Sequence, residues 1–170
     1  SANILCFSQS RDSLFQTLNQ YQSAGDKAVK ALRISDSLRR INPYTAYQYA
    51  LLSKELKHGN DSLTGRANIA ISNYYISRAK YDSSIYFLDL AQQIFTNRTD
   101  SSSLSKVLIQ KGVVNYYETN YEKAIENLLT ASGILENIND SILLASVYNN
   151  LGSFHQSRDN EYEKALEFYT

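Results

Sequence analysis

His58 and His155 are the only imidazoles of the chain, and Cys6 is its one thiol. A metal-dependent hydrolase commonly needs two histidines four residues apart with a glutamate between them, so that both rings reach one ion from one helix face. Here the two are 97 residues apart. A cysteine nucleophile needs a base within reach, and no histidine stands near Cys6 in the chain. A single cysteine also excludes an internal disulfide and any cysteine-based metal cluster. No glycine-rich loop opens a helical stretch as a phosphate cradle would. Carboxylates are scattered, and Glu161 and Glu163 read as first-turn acids beside a turn. His58 precedes Gly59 at an expected helix C-terminus, where partial positive charge suits the dipole. Asn97-Arg98-Thr99 and the two Asn-Asp-Ser triplets at Asn60 and Asn139 match the glycosylation sequon, but helix capping accounts better for the triplets. The expectation is no catalytic residue, no metal and no cofactor.

What recurs is packing. The stretch NYEKAIENLLTAS, 120–132, returns as EYEKALEFY at 161–169 and more weakly as KYDSSIYFLDLA at 80–91. Ala124, Leu128 and Ala131 are spaced by four and three, so they share one helix face. Upstream of these copies run SKVLIQKGVVNYYE from Ser105 and ASVYNNLGSFHQS from Ala145, each with a glycine in mid-helix, Gly112 and Gly152. Ser72 holds the equivalent place one repeat earlier. An interior glycine costs about 1 kcal/mol against alanine, which close helix–helix contact inside a hairpin would offset.

This pattern resembles the tetratricopeptide repeat (TPR), an aromatic, Leu-Gly, an aromatic, Ala and an aromatic over about 34 residues. The residues that carry it are Tyr148, Leu151, Gly152, Tyr162, Ala165 and Tyr169. In the preceding copy they are Leu108, Gly112, Tyr121, Ala124, Leu128 and Ala131, and before that Ser72, Tyr75, Tyr81, Ser84, Leu88 and Ala91. His155 and Asn115 replace an aromatic, Ser84 replaces alanine, and the closing proline is absent. His155 therefore reads as a packed ring. Repeat starts at Gly65, Ser105 and Ala145 lie 40 residues apart. The resemblance implies an all-α, right-handed solenoid of about nine antiparallel helices. Its repeats would occupy about 26–64, 65–104, 105–144 and 145–170, the last truncated, within a TPR domain over 11–170. It also implies a ligand groove lined by Arg66, Asn73 and Ser77, then Lys106, Tyr116 and Tyr117, then Asn149, Ser153 and Gln156. Two cations among amides suit an acidic peptide or a terminal carboxylate.

Composition agrees with a folded helical chain. Of 170 residues, 43% are hydrophobic and 20% charged, the balance of a globular protein. One proline and six glycines are too few for a turn-rich β fold. Net charge is zero, without the basic excess of a nucleic-acid-binding domain. Residues 1–60 carry +4 and residues 121–170 carry −5, a mild dipole that reads as a solvated surface. No apolar run approaches the ~18 residues needed to span a membrane.

Along the chain, residues 1–10 read as a tag remnant followed by the tail of a signal peptide, ILCFSQ; the alternative is a short apolar tail lying on the first helix. Cys6 lacks the residues of a lipoprotein box. Leu14, Phe15 and Leu18 predict a short helix over 12–22, closed by Ala24 and Gly25. Asp26 should cap the next, with Ala28, Ala31, Leu32, Ser35 and Leu38 inside. Asn42-Pro43 should open a third with Ala46, Ala50 and Ser53 inside, ending at Gly59. Asp61, Asp100 and Asp140 are expected N-caps. Further helices are expected near 62–79, 81–97, 101–119, 121–137, 141–158 and 161–170, the last cut short, as in a fragment of a longer array.

Two function classes follow, an interaction or sensing module and an enzyme, and the second lacks a reactive cluster. The style of the repeats resembles the region before the membrane segment of bacterial sensor histidine kinases, or of membrane-tethered transcriptional regulators. That resemblance implies an extracytoplasmic (periplasmic) protein- or peptide-binding sensor of a two-component system, with any kinase domain downstream. It implies no nucleic acid, no membrane contact by this stretch, and a possible homodimer through the C-terminal helix at Leu166 and Tyr169. A free-standing TPR adaptor scaffolding a complex is the alternative.

Overall fold

The computed structural model describes residues 13–14, 16–56 and 59–159, and the side chains of all of these except 155 and 157–159. Among the described residues there is no strand. The helices are α1 (Ala24–Leu38), α2 (Pro43–Leu56), α3 (Asp61–Ser77), α4 (Tyr81–Asn97), α5 (Ser101–Tyr117), α6 (Tyr121–Asn137) and α7 (Ser141–Asp159). The described residues of 13–18 are helical as well. The expected buried Ala165, the C-terminal helix face, Cys6 and the apolar tail lie outside the described residues, as do His58 and the side chain of His155.

The cadence is stricter than 40. Helices α3 to α6 are 17 residues each, and α3 to α7 begin 20 residues apart. The same three-residue junction repeats, and hydrogen bonding explains why. Gly59, Ala79, Thr99, Thr119 and Asn139 all have positive φ, between 51° and 77°. A left-handed residue just past a helix lets the next N–H turn back to an orphan carbonyl. Lys80 N–H reaches Tyr75 O at 2.9 Å, Asp100 N–H reaches Phe95 O at 3.0 Å, Asn120 N–H reaches Asn115 O at 2.9 Å, and Asp140 N–H reaches Leu135 O at 3.0 Å. Three of these residues then cap the following helix with a side-chain oxygen. Asp100 accepts from Ser103 N–H, Asn120 from Lys123 N–H and Asp140 from Leu143 N–H. One residue thus closes one helix and opens the next.

Two expected caps sit one step or more away. Asn60, not Asp61, caps α3 through Leu63 N–H, and Asp61 becomes its first residue. Asn60 is the residue in register with Asp100 and Asp140. Ser23 caps α1, accepting from Asp26 N–H, while its hydroxyl donates to the Asp26 carboxylate at 2.6 Å. Ala24 and Gly25 therefore open α1 instead of closing the preceding helix. Pro43 starts α2 as expected, with Asn42 accepting from Thr45 N–H.

The chain forms two compact units, residues 1–87 and 88–170, whose boundary falls within α4. In the first, Ala28, Leu32, Ala50, Leu63, Ala67 and Ile71 make one core cluster, and Leu18, Ala31, Tyr49 and Leu52 another. Ser53 ties α2 to α1 by donating to Ala28 O at 2.8 Å. In the second, Ala124, Leu128, Ala131 and Leu135 of α6 pack with Val147, Leu151 and Phe154 of α7 and Leu108 of α5. Ala124, Leu128 and Ala131 are fully buried, as their spacing requires. Burying each leucine contributes about 1.5–3 kcal/mol. Gly112 is buried where α5 meets α6.

Candidate functional site

In the second unit, Tyr116 near the end of α5 stacks on Phe154 near the end of α7, with ring centroids 3.9 Å apart and planes 7° from parallel. Three-residue junctions fold α6 back along α5 and α7 back along α6, so α5 and α7 run in the same direction, side by side. Tyr117 follows one seam residue and Ser153 precedes the other. At 100° per residue in two right-handed parallel helices, both swing to the same side of the seam. Lys106 lies eleven residues before Tyr117, about 20° away around the helix. Asn149 and Gln156 lie within ~60° of Ser153. Lys106, Tyr117, Asn149, Ser153 and Gln156 therefore share one side of the α5–α7 pair, and all five are exposed. Tyr116 differs: it is half-buried and belongs to the seam, edge-on to both Tyr117 and Tyr121.

Among the described side chains this side carries no acid, although its unit is rich in them. Residues 88–170 carry six Lys or Arg and eleven Asp or Glu. Helix α5 has no carboxylate, and α7 has one, at its last residue, Asp159. The acids with described side chains lie on α4, α6 and the junctions. Lys111, the other cation of α5, is held at 2.8 Å by Asp89 and at 2.8 Å by Gln92 of α4. Lys106 is exposed on that side.

In the first unit, α3 carries Arg66, Asn73 and Ser77. Arg66 and Ser77 are exposed and Asn73 is half-buried. Arg66 faces Asp36 of α1 at 4.0 Å, with about half of each side chain in solvent, a geometry that holds a guanidinium only weakly. Burial raises the pKa of the Asp36 carboxyl despite the opposing pull of Arg66 and Arg39. The Ser77 hydroxyl donates to Tyr74 O at 2.7 Å.

The same unit holds an aromatic array. Tyr44 of α2 meets Tyr74 of α3, Tyr47 meets Tyr74 and Tyr75, and Tyr75 meets Phe87 of α4, which in turn meets Tyr86. Tyr47 stacks on Tyr74 at 4.4 Å and Tyr75 on Phe87 at 5.5 Å, with edge contacts linking the rest. The ends, Tyr44 and Tyr86, are exposed. Burial, a hydrogen bond with Tyr75 and the neighbouring phenols push the Tyr47 hydroxyl up to about 12. Lys54 Nζ lies 5.4 Å over the Phe87 ring and donates to buried Asn68 at 2.9 Å. The repeat pattern marks Tyr75 alone among the tyrosines of this array. The pairs Tyr44/Tyr47 and Tyr74/Tyr75, at facing ends of an antiparallel helix pair, are the signal that could have found the array.

Among the described residues, no three of His, Cys, Asp and Glu gather as metal ligands. No described helix is long and apolar enough to cross a membrane. A cavity of about 320 Å³ between the end of α6 and the start of α7 is lined by Leu135, Glu136, Asn139, Asp140, Ser141 and Leu144. Its carboxylates have structural partners: Asp140 caps α7, and Glu136 accepts from the Tyr148 hydroxyl at 3.1 Å. No family model matches this sequence, and no curated protein matches it.

Proposed function

We propose that this chain is a non-catalytic TPR-type binding module that holds an acidic peptide or a terminal carboxylate. The acid-free side of α5 and α7 carries the reading. Lys106 supplies the charge, and Asn149, Gln156, Ser153 and Tyr117 supply donors and acceptors for an extended backbone. A carboxylate in such a place gains charge-assisted hydrogen bonds without meeting a like charge. In the first unit, Arg66 and Ser77 of α3 stand one 40-residue repeat before Lys106 and Tyr117, and Asn73 two repeats before Ser153.

The sequence resemblance places such a module in a membrane-tethered bacterial signalling protein of the sensor histidine kinase type, outside the cytoplasm. Ligand binding would then act by changing how helices stack, with no bond made or broken. Fluorescence anisotropy with a labelled twelve-residue Asp/Glu/Gly peptide, its lysine counterpart and its C-terminal amide tests the ligand class. Preference for the acidic peptide over the lysine one supports recognition of acidic side chains, loss of binding on amidation assigns the contact to the terminal carboxylate, and equal binding of all three refutes the reading. Fusing the native N-terminus to a reporter active only outside the cytoplasm tests the location. A silent reporter beside an active cytosolic one would favour the free-standing adaptor.

A further inference from the structure

Two helix faces, neither used by the ligand site above, carry the same spacing with opposite charge. On α6, Glu126, Leu129, Gly133 and Glu136 stand at steps of three, four and three, with Glu122 one turn earlier. All are exposed, Leu129 to 53%, and a Cβ built at Gly133 meets nothing within 4 Å. On α1 and in the turn just past its cap, Arg39, the residues Lys30, Arg33, Ser37 and Arg40 stand at the same steps in the sequence. Arg33, Ser37 and Arg40 are exposed, and next to Arg40 the Ile41 side chain is 81% exposed. Steps of three and four define the stripe along which two helices pack. Each stripe has a small residue at its third position, Gly133 or Ser37, where two helices can come close.

The charges divide with the units that bear these faces. Residues 1–87 carry eleven basic and six acidic groups, and residues 88–170 carry six and eleven, so the balances are +5 and −5. We propose that α1 of one copy docks on α6 of a second copy, its Lys and Arg side chains set against Glu122, Glu126 and Glu136. Ile41 and Leu129 add apolar contact that solvent otherwise meets. The two faces are made of different residues, so a single α1–α6 contact is heterologous. Exposed ion pairs are weak singly and screened by salt, so association should be moderate and strongest at low ionic strength.

Sedimentation velocity of the full 170-residue chain, over roughly 10–500 µM and in low and high salt, reads this directly. The wild-type protein should associate with concentration and lose at least about tenfold in affinity in high salt. Two double variants follow, Arg33→Glu with Arg40→Glu and Glu122→Lys with Glu126→Lys, each checked for helix content by circular dichroism. Each alone should stay monomeric, and an equimolar mixture should recover association as strong as that of the wild-type protein, because the reversed faces of the two variants complement each other and so do their unaltered faces. Should a reversal fail to fold, Arg33→Gln with Arg40→Gln and Glu122→Gln with Glu126→Gln replace the pair, and each must weaken association. A wild-type protein monomeric throughout, a variant that associates as well as wild type, or folded reversal variants that ignore each other would overturn the proposal.

Discussion

Gly112 of α5 lies so close to Leu128 of α6 that a Cβ at position 112 would stand 2.9 Å from Leu128 Cγ and 3.1 Å from the Ala124 carbonyl oxygen. The leucine side chain could shift, but the backbone oxygen cannot do so cheaply. Gly112→Ala should therefore destabilise by about 1–3 kcal/mol, the cost of overpacking, against the ~1 kcal/mol that alanine gains by helix propensity. Gly133→Ala is the control in the same unit. It meets open space and should stabilise by about 0.5–1 kcal/mol. Urea denaturation of the two variants should move the midpoint in opposite directions.

Ser84 holds the place of Ala124 one repeat earlier, and its hydroxyl is fully buried without a hydrogen-bond partner. A buried unsatisfied hydroxyl costs about 1–3 kcal/mol. Ser84→Ala should raise stability by roughly 1 kcal/mol or more, seen as a higher Tm. A fall in Tm would mean that the hydroxyl is satisfied.

Thr119 occupies a left-handed junction at φ 61°, a conformation that disfavours β-branched residues. Thr119→Gly should stabilise by about 0.5–1 kcal/mol, strain relief exceeding the entropy that glycine adds to the unfolded chain. The urea midpoint should rise with unchanged slope. A lower midpoint would place Thr119 outside the left-handed region.

These junctions show what was legible in the sequence and what was not. The helical class and the buried Ala124, Leu128 and Ala131 followed from spacing, because a face of small residues has one use in an amphipathic helix. Cap position was harder. Asn60 and Asp61 are both good caps, and only the 20-residue register with Asp100 and Asp140 selects Asn60. The cap at Ser23 was missed because Ala24 and Gly25 look like a stop. The acid-free side of α5 and α7 was legible in part. Its residues came from the resemblance, but the inward turn of Tyr116 depends on Phe154, 38 residues later in the chain. The aromatic array joins three helices, and no single stretch contains it.

Tyr47 gives a pH prediction. Its pKa is raised from 10.0 to about 12, so the folded protein holds the proton more tightly than the unfolded chain. The stability this contributes is complete below pH 10 and is lost as pH rises through 12. Tyr47→Phe should flatten the fall in stability across that window and should leave stability at pH 7 little changed apart from the hydrogen bond with Tyr75. An identical alkaline transition in the variant would assign the effect to other groups.

The acid-free side of α5 and α7 is tested most directly by selecting binders from a phage-displayed library of random twelve-residue peptides. Selected peptides are then measured against the wild-type protein and a Lys106→Ala, Asn149→Ala, Gln156→Ala variant. The account predicts enrichment of Asp and Glu. It predicts at least a tenfold loss of affinity in the variant, since a hydrogen bond to a charged group contributes about 1.5–3 kcal/mol, with stability changed by no more than about 0.5 kcal/mol per exposed site. Selected peptides that carry no acidic bias, or that bind the triple variant as tightly as the wild-type protein, would contradict it.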